Sequence, residues 1–461
     1  MTVYFIGFNV YFPCITIYFV NYLGYDYGMT GVIQGVGLLA ASVLTIPAAK
    51  LIDKGKMAAV IFGALACNTI GLVLVSISQL LPVLLIGVFG AGIGYILVLQ
   101  TLTAWMQTQL NLIIRNEDTM ERELLSKGPV LDKKGRPIPG YSRKSILTYD
   151  RKAIKAPPWR IKEWDFYQIT NDHLCLQLTI GHAAYAGQVS LMLFDFQKGK
   201  KYLDLCRTLA LPFNSLHMPA NAEEDHELTY SHKKLPSRYG NRDIFMSFEV
   251  VSGERILTCR WKDLEAEIVL KRQNPDSLVI NLPFDEYAHA FYYNHKINCM
   301  TAEGFVRTHN HEWLFEKEDS FGILDWGRGV WPFHNEWYWS NGSGYLNGEM
   351  FGFNLGCGFG NTDTASENML FYRGKSHKLG KVDFSLGKDY REPWHIRDRE
   401  GRLDLRLKPV YDRETQIKLL WVDNHCHQMF GSFSGTAILD DGTKLQVKDV
   451  ISFAEHAVNN W

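Results

Sequence analysis

The sequence predicts an all-β soluble region of two barrels preceded by four transmembrane α-helices, and three observations lead there. Charge is split along the 461 residues: of 48 Lys plus Arg and 49 Asp plus Glu, residues 1–110 hold only Asp26, Lys50, Asp53, Lys54 and Lys56. The same stretch contains four apolar runs of membrane-spanning length. After about residue 160 the chain breaks into short runs with partial apolar alternation between turn residues, the pattern of antiparallel strands.

The four runs are Val3–Leu23, Met29–Ala49, Met57–Ser78 and Leu80–Met106. At ~1.5 Å per residue each is long enough to cross ~30 Å of hydrocarbon. The first is long, aromatic and without a basic leader, unlike a cleaved signal peptide. Lys50, Lys54 and Lys56 all fall in the second connection, which the positive-inside rule makes cytoplasmic. Counting crossings from there puts both the amino terminus and everything after Met106 on the cytoplasmic side. The expected protein is therefore integral to the membrane, four-span, with its large carboxy-terminal domain cytoplasmic. The eight cysteines agree with this, since they have no metal-ligand spacing and no disulfide framework and read as thiols in a reducing compartment. Gly31, Gly35, Gly37, Gly87, Gly90, Gly92 and Gly94 are spaced for close helix contact.

Residues 1–109 thus form the helical part and 110–160 a junction and lead-in segment, with an acidic and basic helical stretch followed by Gly128-Pro, Gly135-Arg-Pro-Ile-Pro-Gly140 and Pro157-Pro158. A first barrel-like half is expected over 161–300. Its strands are Asp165–Thr170, His173–Ile180, Gln188–Phe196, Ile244–Val251, Arg255–Trp261 and Glu265–Lys271, with Ser252-Gly253 closing a hairpin. A second half is expected over 301–461, with only Phe453–Trp461 helical. Because 45 basic residues face 47 acidic ones after residue 110, no nucleic-acid partner is expected. The expected partners are the membrane and an apolar small molecule; oligomeric state is not encoded in any pattern here.

Two family resemblances follow from specific motifs. Ala49-Lys-Leu-Ile-Asp-Lys-Gly-Lys56, Pro47 and Leu99-Gln-Thr-Leu-Thr-Ala-Trp-Met-Gln107 resemble the first four helices of the carboxy-terminal half of a major-facilitator transporter. That resemblance implies a transporter remnant, although no run carries a charge within its span. Asp319-Ser-Phe-Gly-Ile-Leu-Asp-Trp-Gly-Arg-Gly-Val-Trp331, Phe291-Tyr-Tyr-Asn-His-Lys-Ile-Asn-Cys-Met300, Trp337-Tyr-Trp339, Asn354-Leu-Gly-x-Gly-Phe-Gly360, Glu367-Asn368, Phe430-Gly-x-Phe-Ser-Gly435 and Glu455-His456 strongly resemble the domain of unknown function 2804 family from about residue 122 onward. Through that family the chain is distantly similar to lipocalin-like two-barrel proteins that include carotenoid hydratases.

Asp325-Trp-Gly-Arg-Gly-Val-Trp331 concentrates a carboxylate, a guanidinium and two indoles. Strand alternation places Asp325, Gly327, Gly329 and Trp331 on one face and Trp326 with Arg328 on the other. One reading is structural, with Arg328 stacked on a Trp beside Asp325 in a packed barrel. The other is a ligand pocket formed with Tyr293, His295, Trp337, Trp339 and Asn368, in which Asp325 or Glu367 donates a proton to an alkene and the indoles stabilise the cation. His295 and His334 are further proton carriers. His425-x-His427 has the spacing of a strand-borne metal pair but lacks a third ligand in the sequence, so no metal is expected. Gly356-x-Gly358-x-Gly360 lacks the strand and helix of a dinucleotide loop, and no nucleotide cofactor is expected. Three functions remain open: a binding module for a lipid- or terpenoid-like molecule, a hydratase or isomerase, and a residual transporter half fused to the soluble domain.

Overall fold

The computed structural model describes residues 16–35, 57–77, 80–94, 97–98, 121–232, 243–419 and 422–460. The chain divides into two compact units, Met1–Asp118 and Thr119–Trp461.

In the first unit, one helix among the described residues is long and apolar enough to cross a membrane. It is Ala59–Ile77, mean hydropathy 2.3, within the helix Met57–Ile77. The four-span expectation is corrected to this single candidate, and the cytoplasmic placement counted from four spans falls with it. In the first run the described backbone is interrupted, a feature that hydropathy does not measure. The first run contains the five-residue π-helix Tyr18–Tyr22 and reaches Gly24 at φ 74° before helix resumes. Of the fourth run, helix is described over Leu81–Gly94, about 20 Å at ~1.5 Å per residue, and at 97–98, and the remainder of that run lies outside the described residues. Most of the second run, the Lys50, Lys54 and Lys56 connection and the 109–120 junction lie outside the described residues. Helix Met57–Ile77 packs on Leu81–Gly94 through Gly71 and Gly87, where a Cβ on either would strike the other helix's backbone.

The second unit opens with a lead-in that wraps the domain surface. It carries the short strands β1 (Gly128–Pro129), β2 (Gly140–Ser142) and β3 (Leu147–Thr148). Residues 121–127 are not helical, contrary to the expected charged helix, because their backbone pairs across the lead-in instead: Leu124 N–H donates to the Tyr141 carbonyl and Tyr141 N–H to the Arg122 carbonyl.

The first sheet is formed by β4 (Lys162–Thr170), β5 (Leu174–His182), β6 (Ala186–Asp195), β7 (Lys200–Ala210), β8 (His226–His232), β9 (Ile244–Val251), β10 (Glu254–Trp261), β11 (Leu264–Arg272), β12 (Leu278–Phe284), β13 (Tyr287–Thr308), β14 (His311–Phe315) and β15 (Phe321–Val330). Its order is β7-β6-β5-β4-β15-β13-β11-β10-β9-β8, with β12 and β14 beside β13 and β2 beside β12. Ser252 and Gly253, both at positive φ, turn β9 into β10 as a two-residue hairpin demands.

The second sheet holds β16 (His334–Leu346), β17 (Glu349–Cys357), β18 (Met369–Tyr372), β19 (Lys375–Lys378), β20 (Val382–Ser385), β21 (Trp394–Asp398), β22 (Leu403–Leu419), β23 (Val422–Ile438) and β24 (Lys444–Asn460), in the order β19-β18-β17-β16-β24-β23-β22-β21-β20. The terminal segment expected to be helical is the end of β24, paired with both β16 and β23. The sheets change over between Val330 and His334. The division expected at residue 300 therefore falls inside β13, whose 22 residues bend at a bulge between Ile297 and Met300.

Each sheet curls into a half-barrel around its own apolar core. Tyr167, Leu178, Phe248, Ile268 and Trp326 fill the first, and Phe353, Trp394, Leu405, Met429 and Phe433 the second. The opposite faces of the two sheets meet each other. There Cys175, Phe194, Ile323, Trp339, Phe430 and Phe453 form a shared cluster, and Leu282, Trp331, Phe359 and Phe371 another. Full burial of such side chains is worth about 1.5–3 kcal/mol each, which ties the half-barrels into one body.

Candidate active site between the half-barrels

A cavity of about 330 Å3 lies where the two sheets face each other. Period-two alternation decides who lines it. From the first sheet come Trp164 and Phe166 of β4, Tyr292 and Lys296 of β13 and Asp325 of β15. From the second come Trp337 and Trp339 of β16, Cys426 and Gln428 of β23 and Glu455 of β24. Trp331, Phe359 and Glu367 complete the wall from the connections.

The aromatic part is a continuous set of edge-to-face contacts. Trp331 meets Trp164 at 5.3 Å between centroids and Phe359 at 5.4 Å, and Phe359 meets Trp337 at 4.9 Å. Trp164 can lie flat against β15 because its neighbour is Gly327, where a Cβ would collide with the indole ring.

The polar part is a cluster of three carboxyls and one ammonium. Lys296 and Asp325 are directly opposite in the β13–β15 ladder, with Lys296 Nζ 3.0 Å from Asp325 Oδ1. The same Nζ is 3.4 Å from Glu367 Oε2 and stands over the Trp339 ring at 4.1 Å. Asn294 Nδ2 donates to Asp325 Oδ1 at 2.6 Å. Across the cavity Glu455 accepts from Trp337 Nε1 at 2.7 Å and from Gln428 Nε2 at 2.8 Å.

Burial pushes the Glu367 carboxyl above its ordinary range; Lys296 opposes this and Asp325 adds to it. Glu455 is likewise raised by burial, against the hydrogen bonds from Trp337 and Gln428. Glu367 packs directly over the β17 backbone at Gly356, where any side chain would occupy its carboxyl position. A carboxyl whose protonated form is favoured by burial beside aromatic faces is equipped to donate a proton to an apolar substrate.

Of the residues singled out from sequence, the fold brings Asp325, Trp331, Trp337, Trp339 and Glu367 together on the cavity. Trp326, Arg328, Tyr293 and His295 point into the first half-barrel. The guanidinium of Arg328 stacks on Trp326 at 3.8 Å and pairs with Asp165 at 2.8 Å, so the expected pairing with Asp325 is corrected. Tyr293 donates to the Leu147 carbonyl, and His295 bonds Ser277 Oγ at 2.8 Å. Asn368 bridges the Gly356 amide and the Gly380 carbonyl, a structural post behind Glu367. His334 is exposed and bonds Asn460. Lys296, Glu455, Trp164 and Tyr292 were not singled out. Lys296 was legible only through its place in Phe291–Met300, one position out of phase with His295. Glu455 was legible only through the Glu455-His456 motif of the family resemblance, which carried no role for it.

Solved structures with similar folds include an AttH protein from Nitrosomonas europaea (12% identity, TM-score 0.41, covering 68% of this chain and 97% of that one). CghA with Sch210972 (10%, 0.42, 72% and 96%) and kievitone hydratase from Nectria haematococca (10%, 0.38, 65% and 88%) are also similar. No curated protein matches the sequence. The family match begins at residue 121 and leaves residues 1–109 outside it, and the comparisons do not show the expected major-facilitator relationship. Matched over residues 121–461, nearly the whole second unit, the chain belongs to the DUF2804 family, a domain of unknown function.

Proposed function

We propose that the protein binds an apolar or amphipathic, terpenoid-like small molecule between its half-barrels and performs acid-catalysed hydration or isomerisation of a carbon–carbon double bond. The observation that carries this reading is the pair of buried acids, Glu367 and Glu455, facing an aromatic cavity. A volume of about 330 Å3 is at the small end of ligand pockets and suits a short isoprenoid chain.

Glu367 is the proposed proton donor. Transfer of its proton to one alkene carbon leaves a cation at the other, which the π faces of Trp331, Trp337 and Trp339 stabilise. In hydration, water adds to the cation and its surplus proton returns to the carboxylate. In isomerisation, a proton leaves the neighbouring carbon instead. Lys296 pairs with Asp325 at 3.0 Å, so the two form an ion pair in the cavity wall beside the proposed donor.

The test is incubation of the purified full chain with geraniol or farnesol in D2O, with mass spectrometry of the extracted product. Turnover places deuterium on a former alkene carbon, with or without addition of water, and Glu367→Gln abolishes it. Retention of an unchanged isoprenoid by both proteins, with no deuterium uptake, would replace catalysis with a binding role for the same cavity.

A further inference from the structure

The β22–β23 ladder carries a second group of chemistry-bearing side chains, on the face turned away from the cavity. Cys426 and Gln428 line the cavity, so His425 and His427 project from the other side of β23. In register, Glu414 of β22 stands opposite His427 and Gln416 opposite His425. One ligand atom from each of Glu414, His425 and His427 lies within 4.8 Å of the other two. The imidazole rings are 4.6 Å apart between centroids, and Glu414 Oε1 is 2.9 Å from His425 Nε2.

We propose that Glu414, His425 and His427 bind one divalent transition-metal ion of the zinc class. Two imidazoles and a carboxylate are a common three-ligand set, leaving a fourth position for solvent. Two further features match a metal site more closely than a pair of surface ion pairs. Asp412 engages His427 Nδ1 at 2.9 Å, the carboxylate–imidazole arrangement that fixes the tautomer and presents Nε2 to a metal. Tyr390 stacks on the His427 ring at 3.8 Å and 11°, so the ring is held in place before any ion arrives. Asp412 and Glu414 together supply the charge that offsets a dication. Metal–ligand bonds of about 2.0–2.2 Å require a modest inward rotation of Glu414 and His425, both of which reach solvent.

The experiment is a zinc titration by calorimetry of the full chain, purified on a tag other than polyhistidine and stripped with chelator. Cobalt absorption serves as a second readout. The expected result is one equivalent per chain, visible cobalt bands of a low-coordinate site, and a loss of about 100-fold or more in affinity in His425→Ala and His427→Ala. Asp412→Asn should lose about 10–100-fold, as for an outer partner of a ligating imidazole. Because Glu414 is exposed, Glu414→Gln keeps the fold and must also weaken binding. Zinc bound no more tightly by the parent chain than by the His425→Ala/His427→Ala double variant would overturn the site.

Discussion

Lys296 and Asp325 face each other across the β13–β15 ladder with 3.0 Å between Nζ and Oδ1, both almost fully buried. The Asp-Trp-Gly-Arg motif had suggested a different partner, Arg328. Alternation separates Asp325 from Arg328 by the thickness of the sheet, and each finds its counter-ion on its own face: Lys296 for Asp325, Asp165 for Arg328.

A double-mutant cycle measures this division. Asp325→Asn combined with Lys296→Met should show coupling of about 1–3 kcal/mol, whereas Asp325→Asn combined with Arg328→Met should add within about 0.5 kcal/mol. Removing Arg328 alone leaves Asp165 buried and unpaired and should cost about 3–5 kcal/mol. Urea unfolding of the three single and two double variants checks each value.

Glu367 and Glu455 give the site a pH signature. A carboxyl raised on folding keeps its proton in the native state after the unfolded chain has released it. Stability therefore falls as pH rises from the ordinary carboxylate range through the raised values. Glu367→Gln and Glu455→Gln should remove part of that fall and hold or raise the melting temperature at neutral pH, while Glu367→Gln eliminates turnover. A melting-temperature profile from pH 4 to 9 checks it, and a marked loss of stability at neutral pH would contradict it.

His295 acts in the opposite direction. Its burial lowers the imidazole from 6.5 to about 4, so below the unfolded pKa the unfolded chain takes up a proton that the native chain refuses. Stability tied to His295 is present above about pH 6.5 and declines as pH falls toward 4. His295→Gln should flatten that acid limb in the same melting profile while leaving cavity ligand binding unchanged.

The aromatic wall depends on Gly327. Gly327→Ala places a methyl where the Trp164 indole lies, an overpacking expected to cost about 1–3 kcal/mol and to displace Trp164 into the cavity. Quenching of tryptophan fluorescence by farnesol should weaken markedly in Gly327→Ala and in Trp337→Leu. In Leu314→Ala, at an exposed site on β14, it should be unaffected.

Composition and alternation by themselves determined that residues after about 160 form strands, that Ser252-Gly253 is a tight hairpin, and that Asp325 and Trp331 share a face opposite Trp326 and Arg328. These follow from local geometry, since the two-residue period of a strand and the positive φ of a turn are readable over a few residues. The tertiary structure decided the rest. Hydropathy registered apolar side chains in residues 1–109, where the described residues offer one candidate span in place of the four expected. Lys296, Glu367 and Glu455 meet although they are 71 and 88 residues apart along the chain, because two sheets turn their outer faces toward each other. Glu414 joins His425 and His427 because antiparallel pairing sets it opposite His427 across a hairpin. Register and sheet packing are properties of the assembled chain, and residue spacing alone does not say which side chains they bring into contact.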